Sequence, residues 1–338
     1  MTPLVAIDAD VLGRRRTGDE TYVLNLLREL GRQSGDLRLV AITRRPELVP
    51  DGVETFRLDA RLQELRVAVG LPRALRRLRP ALVHLQYVLP PFDRTPAVVT
   101  VHDLSFDRDP SLMGPLDRRI FRTFVPRAVR RARRVLTVSE RTKRDLVARY
   151  GLPPNKVVVT PNGVDPVFAP GADGGSGGYL LFVGAVQARK DPLAALAAAE
   201  ANGLPLVVVG PPKDRELAAE LAARGAELRG YLPVDELAET YRRAAALVFP
   251  SRHEGFGLPL LEAMASGTPV VASEDPALRE VGGDAALYAG PGGLAAAVGQ
   301  ALHERERLVA AGLERARLFS WAETARRTVA VYREAIGR

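Results

Sequence analysis

The sequence predicts an α/β protein built on two sheets, and three observations carry that prediction. Short β-branched runs alternate with amphipathic stretches along the whole chain. Its 338 residues are more than one core needs and comfortable for two. A glycine-rich segment separates one series of runs from the next. Runs that are apolar throughout are what strands covered on both faces require, and the helical stretches between them read as crossovers of a parallel sheet.

In the first series strands are expected at 4–8, 37–42, 53–57, 81–85, 97–102, 135–138 and 157–160. Helices at about 19–33, 62–78, 117–134 and 140–150 separate most of them. The second series is expected at 179–183, 206–209, 246–250, 269–272 and 286–288. Between the two lies Ala-Pro-Gly-Ala-Asp-Gly-Gly-Ser-Gly-Gly, 169–178, a composition that reads as a hinge linker. It precedes a strand and opens no helix, so it does not read as a phosphate loop. The expected domains are 1–168, joined by a last helix at about 321–338, and 179–320. That last helix carries Trp321, Ala325, Val329 and Tyr332 at helical spacing and so needs a surface to cover.

Composition narrows the class further. A hydrophobic fraction of 46% and a charged fraction of 26% are those of a folded globular protein. With 0 cysteines there is neither a disulfide framework nor a thiolate site, and a reducing compartment is the simplest fit. The first eight residues read as a strand without a basic leader, and no apolar run approaches the roughly 18 residues of a membrane span. The expectation is therefore a cytoplasmic chain. Residues 1–170 hold 30 Lys and Arg against 19 Asp and Glu, or +11 of the total +8, which leaves −3 for the second half.

Residues 249–272 carry the chemistry. They read as strand, loop, helix and strand, with Pro259 in the first turn of a helix at about 258–266 and Gly267 just past its end. That helix N-terminus directs unpaired N–H groups and a partial positive charge into Gly255-Phe256-Gly257, whose glycines allow close approach of a ligand, as a pyrophosphate seat requires. Glu254 stands before the seat and Glu262 follows within the helix, so that both carboxylates can face one ligand and bind vicinal hydroxyls. The alternative is a solvated loop carboxylate and a charge at a helix N-terminus.

This glutamate pair spanning Gly-Phe-Gly resembles the signature of retaining glycosyltransferases of family four, the glycogen-synthase-like type with the GT-B fold, also described as glycosyl transferases group 1 and including mannosyltransferases. Further segments in the family's order are Thr17-Gly18-Asp19-Glu20-Thr21-Tyr22, Val101-His102-Asp103, Val138-Ser139-Glu140, Pro161-Asn162-Gly163-Val164-Asp165, Val183-Gly184 with Arg189-Lys190, and Ser320-Trp321. The resemblance implies two Rossmann-like domains facing across a cleft, the first binding acceptor and the second donor, with the last helix returning to the first. It implies that Glu262 binds the nucleotide ribose, that Glu254 and the amides of Gly255, Phe256, Gly257 and Leu258 hold the transferred sugar and diphosphate, and that Lys190 and Arg189 neutralise the diphosphate. Gly184 and Gly18 would lie against the donor phosphates. Several members carry an arginine after the glycine matching Gly184, where this chain has Ala185, so more of that charge falls to Arg189 and Lys190.

The resemblance also implies retention by same-face attack, with the donor phosphate assisting deprotonation of the acceptor and no obligatory metal or other cofactor. The four histidines, His84, His102, His253 and His303, show no paired ligand spacing. His102 ends an apolar strand, where parallel sheets place ligands, and so is a candidate contact to the sugar, although it and Asp103 also suit a simple strand cap. The catalytic candidates are His102, Lys190 and Glu254. Arg14, Arg15 and Arg16 read equally well as solvated charges. No motif fixes base or sugar; the reading leans to GDP-mannose over UDP-glucose or UDP-N-acetylglucosamine, with a glycan or lipid-linked acceptor.

Arginines 118, 119, 122, 127, 130, 131, 133 and 134 interleave with Ile120, Phe121, Phe124, Val125 and Val129 in a basic amphipathic stretch, and Arg73 to Arg79 add a second basic segment. Such a surface suits an anionic membrane and hence peripheral attachment at the inner face of the plasma membrane, or is a solvated helix face. With no binding motif and 6% aromatics, nucleic acid is not an expected partner. A dinucleotide oxidoreductase lacks its glycine fingerprint, since Asp8-Ala9-Asp10-Val11-Leu12-Gly13 follows the first strand. A sugar-nucleotide epimerase, a phosphorylase, or a non-catalytic sugar-nucleotide-binding protein at a membrane surface are the remaining alternatives.

Overall fold

The computed structural model describes residues 2–14, 17–60, 62–108, 115–171, 177–290 and 292–337. The chain divides into two compact units, Met1–Gly163 with Trp321–Arg338, and Val164–Ser320. The central five residues of the expected linker, and Arg15 and Arg16, lie outside the described residues.

The first unit is a seven-stranded sheet of β1 (Leu4–Asp8), β2 (Arg38–Thr43), β3 (Glu54–Arg57), β4 (Leu82–Gln86), β5 (Ala97–Val101), β6 (Arg134–Thr137) and β7 (Val157–Val159), in the order β3-β2-β1-β4-β5-β6-β7. All the pairings are parallel. The second unit orders β8 (Leu180–Val183), β9 (Leu206–Val209), β10 (Glu227–Gly230), β11 (Ala246–Phe249), β12 (Val270–Ala272) and β13 (Leu287–Tyr288) as β10-β9-β8-β11-β12-β13, again in parallel. Central strands such as β5, β8, β9 and β11 are buried at every residue, which is why they read as unbroken apolar runs. In each sheet the connection reverses direction once, between β1 and β4 and between β8 and β11. Chain leaving the C-terminal ends of those two neighbours diverges there and leaves a crevice for ligands.

Three local expectations change. β10 was not foreseen: Glu-Leu-Arg-Gly is a polar, exposed edge strand with an irregular register, so it carries no apolar run. The helix expected over 62–78 is broken into Gln63–Leu65, a π turn at Arg66–Gly70 and Leu71–Leu78. At that turn Arg66 is wholly buried, with ion pairs to Asp8 and Asp10; Arg44 and Arg14 also pair with Asp10. A buried guanidinium requires such partners, and the π turn is where the helix gives way to deliver it. The stretch expected as helix over 117–134 ends at Arg131, because Arg134 already belongs to β6.

The last helix, Trp321–Ile336, packs within the first unit. Its Tyr332 Oη lies 2.6 Å from His84 Nδ1 on β4, whose Nε2 lies 2.7 Å from Thr100 Oγ1 on β5. Thr324 Oγ1 donates to Pro161 O at 2.5 Å, and Arg333 pairs with Asp36 at 2.9 Å. Burial, with the nearby His102 adding to it and Asp8 opposing, pushes the His84 imidazole down to about 3. The ring is therefore neutral, with one donor and one acceptor nitrogen to serve its two hydroxyl partners.

Candidate functional site

The second unit's candidates converge at its switch point. Gly184 follows β8, and the one-turn helix Ala188–Lys190 brings Arg189 and Lys190 beside the chain leaving β11. The Arg252 N–H donates to Arg189 O at 2.9 Å, which ties the two loops together. Lys190 Nζ donates to Glu254 Oε1, and its ammonium sits 5.0 Å from the ring centroid of Phe249, at the end of β11. Arg189 Nη1 is 3.6 Å from the same carboxylate oxygen and donates to His253 O. Glu254 is only 8% exposed. Burial alone raises a carboxyl, but Lys190 and then Arg189 outweigh it, so Glu254 titrates below its usual range and is ionised at neutral pH.

Close backbone approach shapes the seat. Gly210 at the end of β9 has φ 146°, and a Cβ there would fall on the carbonyl of Gly184. Gly257 has φ 109° and caps the helix Leu258–Ala265, with Pro259 in its first turn and no side-chain cap. A Cβ on Gly257 would lie 2.6 Å from Leu278 Cδ2. Phe256 is buried edge-on to Phe319 at 5.8 Å, which anchors the loop from inside. The result is a helix N-terminus with the backbone amides of its first turn next to a Lys-Arg-Glu cluster, an arrangement suited to an anion.

Glu262 lies on that helix, 8% exposed. Tyr241 Oη donates to its Oε2 at 2.9 Å. Burial, reinforced by Asp165 and opposed by the Tyr241 hydrogen bond, pushes Glu262 up to about 7. The two glutamates are thus separated in ionisation by environment, one held charged by cations and the other near its midpoint at neutral pH. Tyr241 was not singled out from sequence, because a tyrosine in an amphipathic helix reads as core.

In the first unit His102 follows β5 directly, and its Nε2 lies 3.0 Å from Gln86 Oε1 at the end of β4 and 4.0 Å from Asp19. Tyr22 meets it edge-on at 4.6 Å. Burial, opposed by Asp19 and Asp103, lowers the imidazole, which is therefore neutral at pH 7. Asp103 accepts from the Ser105 N–H and hydroxyl at 3.0 and 2.8 Å, a local turn of its own. Gly18 lies inside the first turn of the helix Thr17–Gln33 instead of preceding it; it is exposed, and a Cβ there would meet nothing within 4 Å. Gln86 and Asp19 are neighbours of His102 that sequence spacing did not mark, since strand and helix bring them in from 16 and 83 residues away.

Comparison with known proteins fits this architecture. The family model Glycosyltransferase Family 4 matches residues 16–168, and Glycosyl transferases group 1 matches 177–304. The chain is 30% identical to O-antigen chain mannosyltransferase B of Escherichia coli over 88% of its own length and 83% of that protein's. It is 34% identical to a D-inositol 3-phosphate glycosyltransferase of Acidothermus cellulolyticus over 61% of this chain, but spans about half of that relative's length, 54%. Sucrose-phosphate synthase of Thermosynechococcus elongatus superposes with a TM-score of 0.80 at 21% identity, covering 98% of both chains. Anabaena HepE, solved with UDP-glucose, superposes with a TM-score of 0.74 at 13% identity, covering 98% of this chain and 100% of HepE. The fold is GT-B, and the chain belongs to glycosyltransferase family 4. Among the described residues no helix is long and apolar enough to cross a membrane.

Proposed function

We propose that this chain is a retaining glycosyltransferase that moves a hexose of mannose or glucose type from a nucleoside diphosphate sugar to a hydroxyl of a glycan or lipid-linked acceptor. The observation that carries the reading is the Lys190–Glu254 pair, with Arg189 beside it, next to the N-terminus of the helix Leu258–Ala265. In this reading Lys190 and Arg189 neutralise the donor diphosphate, the amides of Gly255 to Leu258 with Gly184 line its oxygens, Glu262 accepts from the ribose hydroxyls, and Glu254 orients the sugar. His102, neutral, offers a hydrogen bond to a sugar hydroxyl.

The bond from the anomeric carbon to the diphosphate oxygen breaks as the acceptor oxygen bonds to the same face of that carbon. The acceptor proton passes to the donor phosphate. Fixed cations and amide dipoles stabilise the departing charge without reorganising, which is where such a site gains rate. No divalent metal is obligatory in this scheme. O-antigen chain mannosyltransferase B supports mannose as the transferred sugar, and HepE with UDP-glucose supports a sugar nucleotide; neither decides the base, and GDP-mannose is the donor to try first.

The test is transfer from GDP-mannose or UDP-glucose in EDTA to glycan and polyprenyl acceptors, with the product's anomeric configuration read by NMR. Acceptor-dependent release of nucleoside diphosphate with retention supports the proposal. Inversion, strict metal dependence, or isomerised sugar nucleotide without transfer overturns the corresponding part.

A peripheral membrane site at the inner leaflet belongs to the same reading. Arg119, Arg122, Arg127 and Arg130 are exposed along the helix Pro115–Arg131, as is Phe124. Arg131 Nη1 donates to Pro90 O at 2.9 Å, tying to that helix a loop whose Phe92 is fully exposed at φ 64°. An exposed aromatic held beside arginines suits insertion among anionic headgroups.

A further inference from the structure

Tyr241 lies on the helix Val234–Arg242, is fully buried, and touches two different parts of the second unit. On one side its hydroxyl donates to Glu262 Oε2 at 2.9 Å. On the other, its ring meets Phe168 edge-on at 5.7 Å, in the segment through which the chain enters the unit. That segment is fastened to the same helix: Arg242 donates to Val167 O and Ala169 O, both at 2.8 Å. Tyr241's own carbonyl accepts from Thr268 Oγ1 at 2.6 Å, just past the C-terminus of the helix that bears Glu262. The phenol is therefore fixed by packing and backbone before it meets the carboxylate.

We propose that Tyr241 is a positioning residue for the donor: its hydroxyl engages one oxygen of Glu262 and orients the other toward the ribose hydroxyls, setting the pH range over which the site binds a sugar nucleotide. The inference rests on the assignment of Glu262 to the ribose. A donated hydrogen bond favours the ionised acceptor, whereas burial and Asp165 both favour the neutral one. Among the described residues, Tyr241 and Asp165 are the titratable groups that act on Glu262. An ionised carboxylate accepts from two vicinal hydroxyls, and a protonated one must surrender an acceptor position to its own proton. Removing the phenol hydroxyl therefore narrows the range from the acid side.

The test compares the full-length wild type with Tyr241→Phe and Glu262→Gln. Phenylalanine keeps the ring against Phe168, and a melting curve for each variant reports on folding. The affinity for GDP-mannose and UDP-glucose is measured by calorimetry from pH 5.5 to 9, a range in which their diphosphate does not titrate. In parallel, 13C NMR of labelled glutamate follows the Glu262 carboxyl, assigned by its loss in Glu262→Gln. The expected result for Tyr241→Phe is a carboxyl midpoint moved to higher pH and binding about tenfold weaker at pH 7, as for loss of one hydrogen bond to a charged group, converging on wild type at pH 9. An unmoved carboxyl midpoint, or a loss of affinity that is equal at every pH, overturns the role of Tyr241. Unchanged affinity in Glu262→Gln overturns the ribose assignment itself, a separate outcome that leaves the carboxyl titration readable.

Discussion

Lys190 donates from Nζ to Glu254 Oε1, and its stem runs so close to Gly184 that a Cβ on that glycine would lie 3.7 Å from Lys190 Cδ. One lysine thus connects the loops that follow β8 and β11. In the proposed cycle its ammonium is shared between the carboxylate and the incoming diphosphate, so the pair already holds in place the charge that the donor later uses.

Lys190→Met keeps the stem and removes the charge. It should abolish detectable donor binding and lower stability by roughly 1–3 kcal/mol, since Glu254 stays buried and keeps Arg189 at 3.6 Å and the Ser251 hydroxyl but loses the ammonium that it meets most closely. Chemical denaturation and calorimetry measure the two effects. Glu254→Gln should retain donor binding within a few-fold and lose most of the turnover, read by steady-state kinetics.

Glu262 gives a pH prediction with a definite sign. Its carboxyl is raised from 4.5 to about 7 in the folded chain. The neutral form is favoured in the fold, so the stability it contributes is fully present below about 4.5 and is lost as pH rises through about 7. At about 1.4 kcal/mol per pH unit, ionisation costs the unliganded fold roughly 3 kcal/mol at pH 8. Glu262→Gln, which stays neutral, should melt higher than wild type at pH 8 and alike at pH 4.5, while binding donor less well. Equal melting at both pH values would contradict the assigned environment.

The fold was readable because central parallel strands are apolar at every position and their spacing repeats, and the glutamate loop was readable because glycine and proline mark a helix start. What escaped depends on long-range packing. Tyr241 looks like any core aromatic until the fold sets it against Glu262, 21 residues away. Arg66 looks like one more arginine of a basic segment, yet it is wholly buried against Asp8 and Asp10. The edge strand β10 is polar because only one of its edges is paired.

Gly257→Ala should be costly although it adds one methyl group. The residue sits at φ 109°, and the new Cβ meets Leu278 at 2.6 Å. Roughly 1–3 kcal/mol of strain is expected, with weaker sugar-nucleotide affinity as the first turn of the helix shifts. Gly151→Ala shares a positive φ, at 63°, but has open space around it, so it should lose stability and leave affinity unchanged.

For the basic surface, Phe92→Ser and the pair Arg127→Glu with Arg130→Glu should each reduce sedimentation with vesicles containing anionic lipid at low salt, and leave activity on a soluble acceptor unaltered. Absence of wild-type binding to such vesicles at low salt would sink the membrane contact.

A donor site built on Lys190, Glu254 and Glu262 is tested most directly by thermal stabilisation by GDP, UDP, ADP and their sugar conjugates in EDTA, on wild type, Lys190→Met and Glu262→Gln. One nucleoside diphosphate and its sugar conjugate should raise the wild-type melting temperature, and that rise should disappear with Lys190→Met and shrink with Glu262→Gln. No rise with any member of the panel, or a rise that survives unchanged in both variants, would contradict a donor site built on Lys190, Glu254 and Glu262.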